Sequence, residues 1–385
     1  MLRGKRTPFL VYSLEELEAS YRRIRDHFQY EDFLQLIPLK TNPLPPLLRA
    51  AFSMGMGADV CSVEEMNLAI SQGCRRELIS FTGIGLNESE MDEIAFEGIG
   101  ALHLDSVQEL EMWCRKWPGT GIGIRLNLDT RIDERCGCIY VGAESKMGIK
   151  PPDFPAVERI IKDSGCRLVG LHCHLAPFAK SSLEYIRRIE SLIERCPSFM
   201  FDEIEYFNAG GGWPALMREG GSWDPRELAE GLEKICKEIS SRANRSVQLR
   251  IEPGEHLLAS CGAMISEVRV VKDIPGEERR ILILDALLPP IECPLHKEPS
   301  IPLSVLGRKR QEFENYEYAI YGRNNTARDY ITKSWRAPRL FPGDTISIGM
   351  CGAYVGVLIS RFNWREPPEQ WVITKEGRVV SEEDG

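Results

Sequence analysis

The stretch LQLIPLKTNPLPPLLRAAFSMGMGADVCSVEEMNLAISQG, Leu34–Gly73, reads as a strand–helix–strand–helix unit. An apolar run ends on Lys40, Thr41-Asn42-Pro43 breaks it, and a helix-like segment follows. A second run, GADVCS (57–62), then leads into a helix that Ser62 would cap. A lysine at the end of a strand headed for the interior raises a question, because burying an ammonium is costly. Either Lys40 is the first solvated residue of a loop, or its amine has work that needs a protected setting.

The same alternation recurs. Eight strand-like runs lie at 34–40, 57–62, 78–83, 101–106, 121–128, 167–175, 203–211 and 247–254. Amphipathic stretches separate them, such as SVQELEMWCRKW (106–117) and SLEYIRRIESLIERC (182–196), several of them opened by serine. Repeated β-then-α units imply an α/β fold with a parallel sheet, and the number eight favours a (β/α)8 TIM-like barrel over an open doubly wound sheet. The barrel is expected over residues 15–258. Beyond it AMISEVRVVKDI, RRILILDALL, YEYAIYG and DTISIGMCGAYVGVLIS are strand-like, with turns such as Pro342-Gly343-Asp344 between them. That texture predicts a C-terminal β domain over 259–385, joined by a strand from residues 1–14 within TPFLVYS (7–13).

At 385 residues, 43% hydrophobic and 27% charged, the chain is long enough for a large core and two domains. A formal charge of -9 without a clustered basic face argues against a nucleic-acid partner. Twelve cysteines fall far short of disulfide-scaffold density, and without a CxxC pair a structural zinc site is not expected. They read as reduced thiols of a cytoplasmic protein. The N-terminal apolar run is too short for a signal peptide, and no 18-residue apolar segment predicts a membrane span.

Barrel chemistry sits at the C-terminal ends of the strands. Read in order, those ends carry Lys40, Asp59, Arg125, His172 with His174, Gly210-Gly211-Gly212, and Glu252. Three successive glycines let backbone N–H groups approach a phosphate, although a tight turn would use them equally well. His172 and His174 share one face of a strand; they read as a metal pair, as an imidazole face for a flat cofactor, or as satisfied core residues. Glu252 could hold a protonated ring nitrogen or join a network with Arg125 or Arg250. An amine, a phosphate seat and a carboxylate together match what pyridoxal 5'-phosphate requires.

The motifs resemble those of a known family, the fold-type III pyridoxal-phosphate decarboxylases that include ornithine, arginine and diaminopimelate decarboxylases; the alanine-racemase barrel is a more distant likeness. The similarity runs in order over about residues 7–365, through PLKTNPLPPLLRAAF, SKMGI (145–149), GLHCHLAP (170–177), NAGGGWP, IEPGE and GAYV (352–355). The resemblance implies that Lys40 is the Schiff-base lysine and that Asp59 belongs to the hydrogen-bonded shell around it. His174 would stack on the cofactor ring, Gly210, Gly211 and Gly212 would bind the phosphate, and Glu252 would pair with the pyridine nitrogen. Tyr354 would reach the phosphate from the β domain, and Arg125 would support the polar groups around the lysine and glutamate. It also implies a homodimer with shared sites and an amino-acid substrate.

Departures from the family pattern accompany the likeness. Glu255 follows Glu-Pro-Gly where arginine is usual, and Pro177 stands where a phosphate-binding serine is common. Asn325 takes the position of a proton-donating cysteine, with Arg328 and Asp329 nearby as substrate-contact candidates. LDALLPPIECP (284–294) lacks the arginine that grips a distal carboxylate. A specialised amino-acid decarboxylase is therefore expected, with Lys40, His172, Cys351 or water as proton donor. A racemase or epimerase, a non-catalytic cofactor-binding protein and a metal-dependent hydrolase are the rival readings.

Overall fold

The computed structural model describes residues 4–129, 140–177, 179–288, 301–307, 316–327 and 329–381. Two compact units divide the described chain. One comprises Tyr21–Lys40 and Leu48–His256; the other takes the described residues of Met1–Ser20, Thr41–Leu47 and Leu257–Gly385. The first strand, β1 (Phe9–Ser13), belongs to the second, smaller unit. Helix α1 (Leu14–Arg25) then leads into the larger one.

Eight parallel strands close the barrel of the larger unit. They are β2 (Phe33–Pro38), β3 (Gly57–Val60), β4 (Ile79–Phe81), β5 (Ala101–Leu104), β6 (Gly121–Leu126), β7 (Arg167–Cys173), β8 (Tyr206–Asn208) and β9 (Gln248–Ile251). The last pairs with the first through Leu34↔Arg250. All eight expected strand runs are present, each shorter than the apolar run that signalled it. Helices α2 (Pro45–Ser53) to α8 (Pro225–Ala243) alternate with them: α3 (Val63–Ser71), α4 (Glu88–Glu97), α5 (Val107–Lys116), α6 (Phe154–Ser164) and α7 (Ser182–Glu194). Serine caps three of these helices: the Ser62 and Ser106 hydroxyls accept the N–H of Glu65 and Glu109 as expected, and on α7 the cap is Ser181, one residue before the Ser182 that opens the stretch, accepting the N–H of Glu184. On α8, Leu228, Leu232, Ile235 and Ile239 recur at helical spacing and are all buried. Burying each contributes about 1.5–3 kcal/mol.

Strand register decides which side chains enter the barrel. In parallel sheets partnered residues share a face; Pro38, Asp59 and Ser80 are paired across β2 to β4, and Arg125, His172, Asn208 and Arg250 across β6 to β9. The lower lumen is filled by Tyr206, its ring 3.9 Å from the Arg250 guanidinium. Gly123 and Gly170 make room for it: a Cβ on Gly170 would lie 1.9 Å from the tyrosine Cζ, and one on Gly123 2.6 Å from its hydroxyl. With that end filled, polar side chains gather at the other, where the strands finish.

The smaller unit is a nine-stranded sheet in the order β14-β13-β11-β10-β1-β16-β17, with β15 on β10 and β12 on β15. Its strands after β1 are β10 (Gly262–Asp273), β11 (Arg280–Leu284), β12 (Leu303–Val305), β13 (Tyr316–Tyr321), β14 (Tyr330–Ala337), β15 (Thr345–Ile348), β16 (Glu369–Ile373) and β17 (Val379–Ser381). The N-terminal strand runs antiparallel to β10 and parallel to β16. One strand-like stretch is corrected: DTISIGMCGAYVGVLIS forms a strand only to Ile348. Met350 and Tyr354 take left-handed backbone (φ 60° and 63°), and Val355–Leu358 coil into a short helix, α9. Close backbone packing requires this, since a Cβ on Gly352 would lie 1.8 Å from the Leu258 carbonyl oxygen. The nine cysteines among the described residues are free thiols, and eight are buried.

Candidate active site

Lys40 sits in a single 3₁₀ turn, Leu39–Thr41, directly after β2. Its ammonium donates to Asp59 Oδ2 at 2.6 Å and lies 3.5 Å from Cys61 Sγ. Asp59 is fully buried, and its Oδ1 has no partner in the protein. Burial first, then the charge of Glu252, pushes its pKa up to about 6 against the pull of Lys40 and Arg125. Burial also pushes the Cys61 thiol up to about 12, so it stays protonated.

Across the lumen Glu252 follows β9. The Asn208 amide donates to its Oε1 at 2.6 Å, and His172 Nε2 is 3.4 Å from its Oε2. Burial raises the carboxyl pKa, while Lys40, Asn208 and Arg125 oppose the rise. His172 is buried too; burial, Arg125 and Lys40 hold it well below the usual imidazole range. Arg125 is the penultimate residue of β6, with Nη1 at 3.3 Å from Asp105 Oδ1 and Nη2 at 3.1 Å from Met147 Sδ. The SKMGI segment is anchored here, because the Gly148 N–H donates to Asp105 Oδ2.

Beyond β8 the chain turns through Gly210, Gly211 and Gly212. Two of the three need glycine for their backbone, at φ 74° and 87°, and the middle one for space: a Cβ on Gly211 would lie 1.8 Å from the Glu252 carbonyl oxygen. The Gly210 N–H donates to Asn208 Oδ1 and the Gly211 N–H to His174 Nδ1. The second bond fixes the neutral His174 with its proton on Nε2. Burial, Arg125 and Lys40 keep that ring uncharged.

Lys40, Asp59, Arg125, His172, His174, the glycine turn and Glu252 thus come together at one end of one barrel. The other sequence candidates lie in the smaller unit. Tyr354 is half-buried, and its N–H donates to the Thr41 carbonyl. Asn325 is exposed, with its N–H bound to Asn363 Oδ1. Asp329 is only 3% exposed and accepts the Asn324 N–H. Arg328 lies outside the described residues. Cys351 is buried with its thiol on the Ile348 carbonyl. Cys61 and Asn208 escaped the sequence reading, although alternation with Asp59 was a usable signal for the first. Among the described residues no three His, Cys, Asp or Glu side chains are arranged to hold a metal ion, and no described helix is long and apolar enough to cross a membrane.

The donor set fits pyridoxal phosphate. An amine, a glycine turn that any Cβ would crowd, a second buried carboxylate, and the unpartnered buried atoms Asp59 Oδ1 and His172 Nδ1 stand at one mouth. Comparison with known proteins agrees. Residues 14–259 match the family model described as pyridoxal-dependent decarboxylase, pyridoxal binding domain. The chain is 26% identical to the diaminopimelate decarboxylase of Zymomonas mobilis, over 93% of this chain and 86% of that one. It is 26% identical to that of Aquifex aeolicus, over 97% and 88%. Two solved structures share the fold: a mutant diaminopimelate decarboxylase from Helicobacter pylori complexed with L-lysine (TM-score 0.84, 21% identity, 99% of this chain and 94% of that one) and the arginine decarboxylase of Paramecium bursaria Chlorella virus (TM-score 0.78, 18% identity, 97% of each). The chain belongs to the pyridoxal-dependent decarboxylases of fold type III, amino-acid decarboxylases whose cofactor is pyridoxal phosphate.

Proposed function

We propose that the chain removes the α-carboxylate of an amino acid, that Lys40 carries the cofactor, and that the substrate is a specialised one. The observation that supports the role of Lys40 is its amine, held on a fully buried carboxylate at the barrel mouth. When bound, pyridoxal phosphate supplies an aldehyde that captures an amine and a ring that draws electrons from the carbon losing its carboxylate. Lys40 would hold the aldehyde, Glu252 the ring nitrogen, His174 a ring face, and Gly210, Gly211, Gly212 and Tyr354 the phosphate.

The residues have separable tasks. A lysine with its ordinary pKa near ~10.4 is mostly ammonium at neutral pH and must shed a proton before it can attack. Asp59 Oδ2, 2.6 Å away, orients that ammonium and is an acceptor within reach. Asn208 and His172 place a donor on each oxygen of Glu252, which favours its charged form. Arg125, fixed by Asp105, opposes protonation of both histidines.

The relatives are called diaminopimelate decarboxylases, but Pro177, Glu255, Asn325 and the 284–294 stretch depart from the family where phosphate and substrate are gripped. Those departures support a different substrate. Asn325 also favours a second reading, exchange of the α-proton by a racemase, since a carboxamide cannot act as the missing thiol acid. Two copies of the chain would share the sites, which sedimentation would show as a dimer. The test is a panel of amino acids incubated with purified chain and pyridoxal phosphate and read by mass spectrometry. Release of carbon dioxide, with borohydride fixing the cofactor to Lys40, is the expected result. A label on another lysine refutes the assignment; inverted substrate without carbon dioxide selects the racemase.

A further inference from the structure

We propose that His172 and His103 are positioning residues for Glu252: a stacked imidazole pair in the barrel lumen that presents one neutral N–H to the carboxylate and holds it in place. The proposal rests on Glu252 being the partner of the cofactor ring.

His172 and His103 stand on β7 and β5, strands that are not neighbours, so their rings meet only across the lumen. They stack with centroids 4.8 Å apart and planes 27° from parallel. His103 is fixed on both sides: its Nδ1 is 2.8 Å from Thr82 Oγ1, and the edge of Tyr206 meets it at 5.5 Å. Tyr206 is in turn pinned by Arg250 and by the two glycines beneath it. Five strands therefore feed one contact, His172 Nε2 to Glu252 Oε2.

The proton count selects the form of His172. An ionised carboxylate only accepts, so Nε2 must donate. The opposite nitrogen, Nδ1, is buried without a partner, as is Nε2 of His103. A cationic His172 would strand a buried N–H donor beside Arg125 and Lys40, which costs more than a lone acceptor. The charged and titratable groups around the pair include Lys40, Asp59, Arg125, His174, Tyr206, Arg250 and Glu252; the cations among them oppose a charged His172, and desolvation opposes it further. A donor that stays neutral steadies the carboxylate without competing for its proton.

Two measurements test this. Nitrogen-15 NMR of the histidine rings in the cofactor-free chain should show His172 as the neutral Nε2–H form from pH 5 to 8. The Nδ1–H form, or titration in that range, overturns the proposal without bearing on the role of Lys40. In the cofactor-loaded chain the acid limb of the absorption–pH profile is followed. His172→Leu should raise it by about one pH unit, a tenfold change in proton affinity. His172→Gln, which keeps a donor near Nε2, should restore it, and His103→Leu should raise it by less although it touches no carboxylate oxygen. An unmoved limb in His172→Leu, or no recovery in His172→Gln at unchanged Tm, refutes the pair. Failure of borohydride to label Lys40 in the parent chain refutes the function instead.

Discussion

Asp59 is held ionised only by its neighbours, against its own burial. Its pKa of about 6 in the fold exceeds the 3.8 of a free aspartate. Between these values the folded chain binds more protons than the unfolded one, so stability falls as pH rises through that window. At neutral pH the carboxylate costs on the order of 3 kcal/mol. Asp59→Asn should accordingly unfold at higher denaturant at pH 7, and the gain should vanish below about pH 4. A less stable Asn variant at pH 7 would show that the bond to Lys40 outweighs desolvation. The same carboxylate predicts a rate effect. Cofactor uptake by the cofactor-free chain, followed by absorbance, should slow as pH falls through 6 and Asp59 loses the charge that orients the amine. Uptake that stays flat from pH 7 to 5 would remove Asp59 from the capture step.

Among the elements, β7 and β8 are coupled by the space between them. Gly170 has no side chain because the Tyr206 ring occupies the place of one. Gly170→Ala should destabilise the chain by about 1–3 kcal/mol through overpacking, whereas Tyr206→Leu together with Gly170→Ala should recover part of the loss. Additive losses in the double variant, measured by urea unfolding, would mean that the two positions do not share that volume. The alternation of apolar runs and capped helices made the elements readable in the sequence, because each strand end and serine cap is a local feature. Lys40, Asp59, Arg125, His172, His174 and Glu252 were readable for the same reason, each lying at or just after the C-terminal end of its strand. Contacts between non-adjacent strands were not. His103 and His172 are separated by 69 positions and β6, and no period in the chain announces that their rings stack. Local signals also misled over Gly349–Ser360, whose aromatic and branched residues look like strand while Gly352 packs backbone against backbone.

At the scale of the whole molecule the smaller unit is assembled from both ends of the chain. β1 lies in the middle of its sheet, between β10 and β16, with Leu10 and Tyr12 fully buried. Deleting the first 13 residues should therefore abolish the native fold of this unit rather than trim a tail, and limited proteolysis should then cut readily beyond residue 257. A truncated chain as protease-resistant as the full one would contradict that placement.

The interior position of β1 also sets a timetable for synthesis. Phe9 pairs in parallel with Glu369, 360 positions later in the chain. At ribosomal speeds of about 5–20 residues per second, the strand waits roughly 20–70 s for its last neighbour. FLVYS has no strand partner until Gly262–Asp273 is made, and after that it keeps one open edge until Glu369 emerges. The barrel can close while β1 still waits, so the growing protein is exposed to mispairing and to chaperone capture at a strand made long before its neighbours.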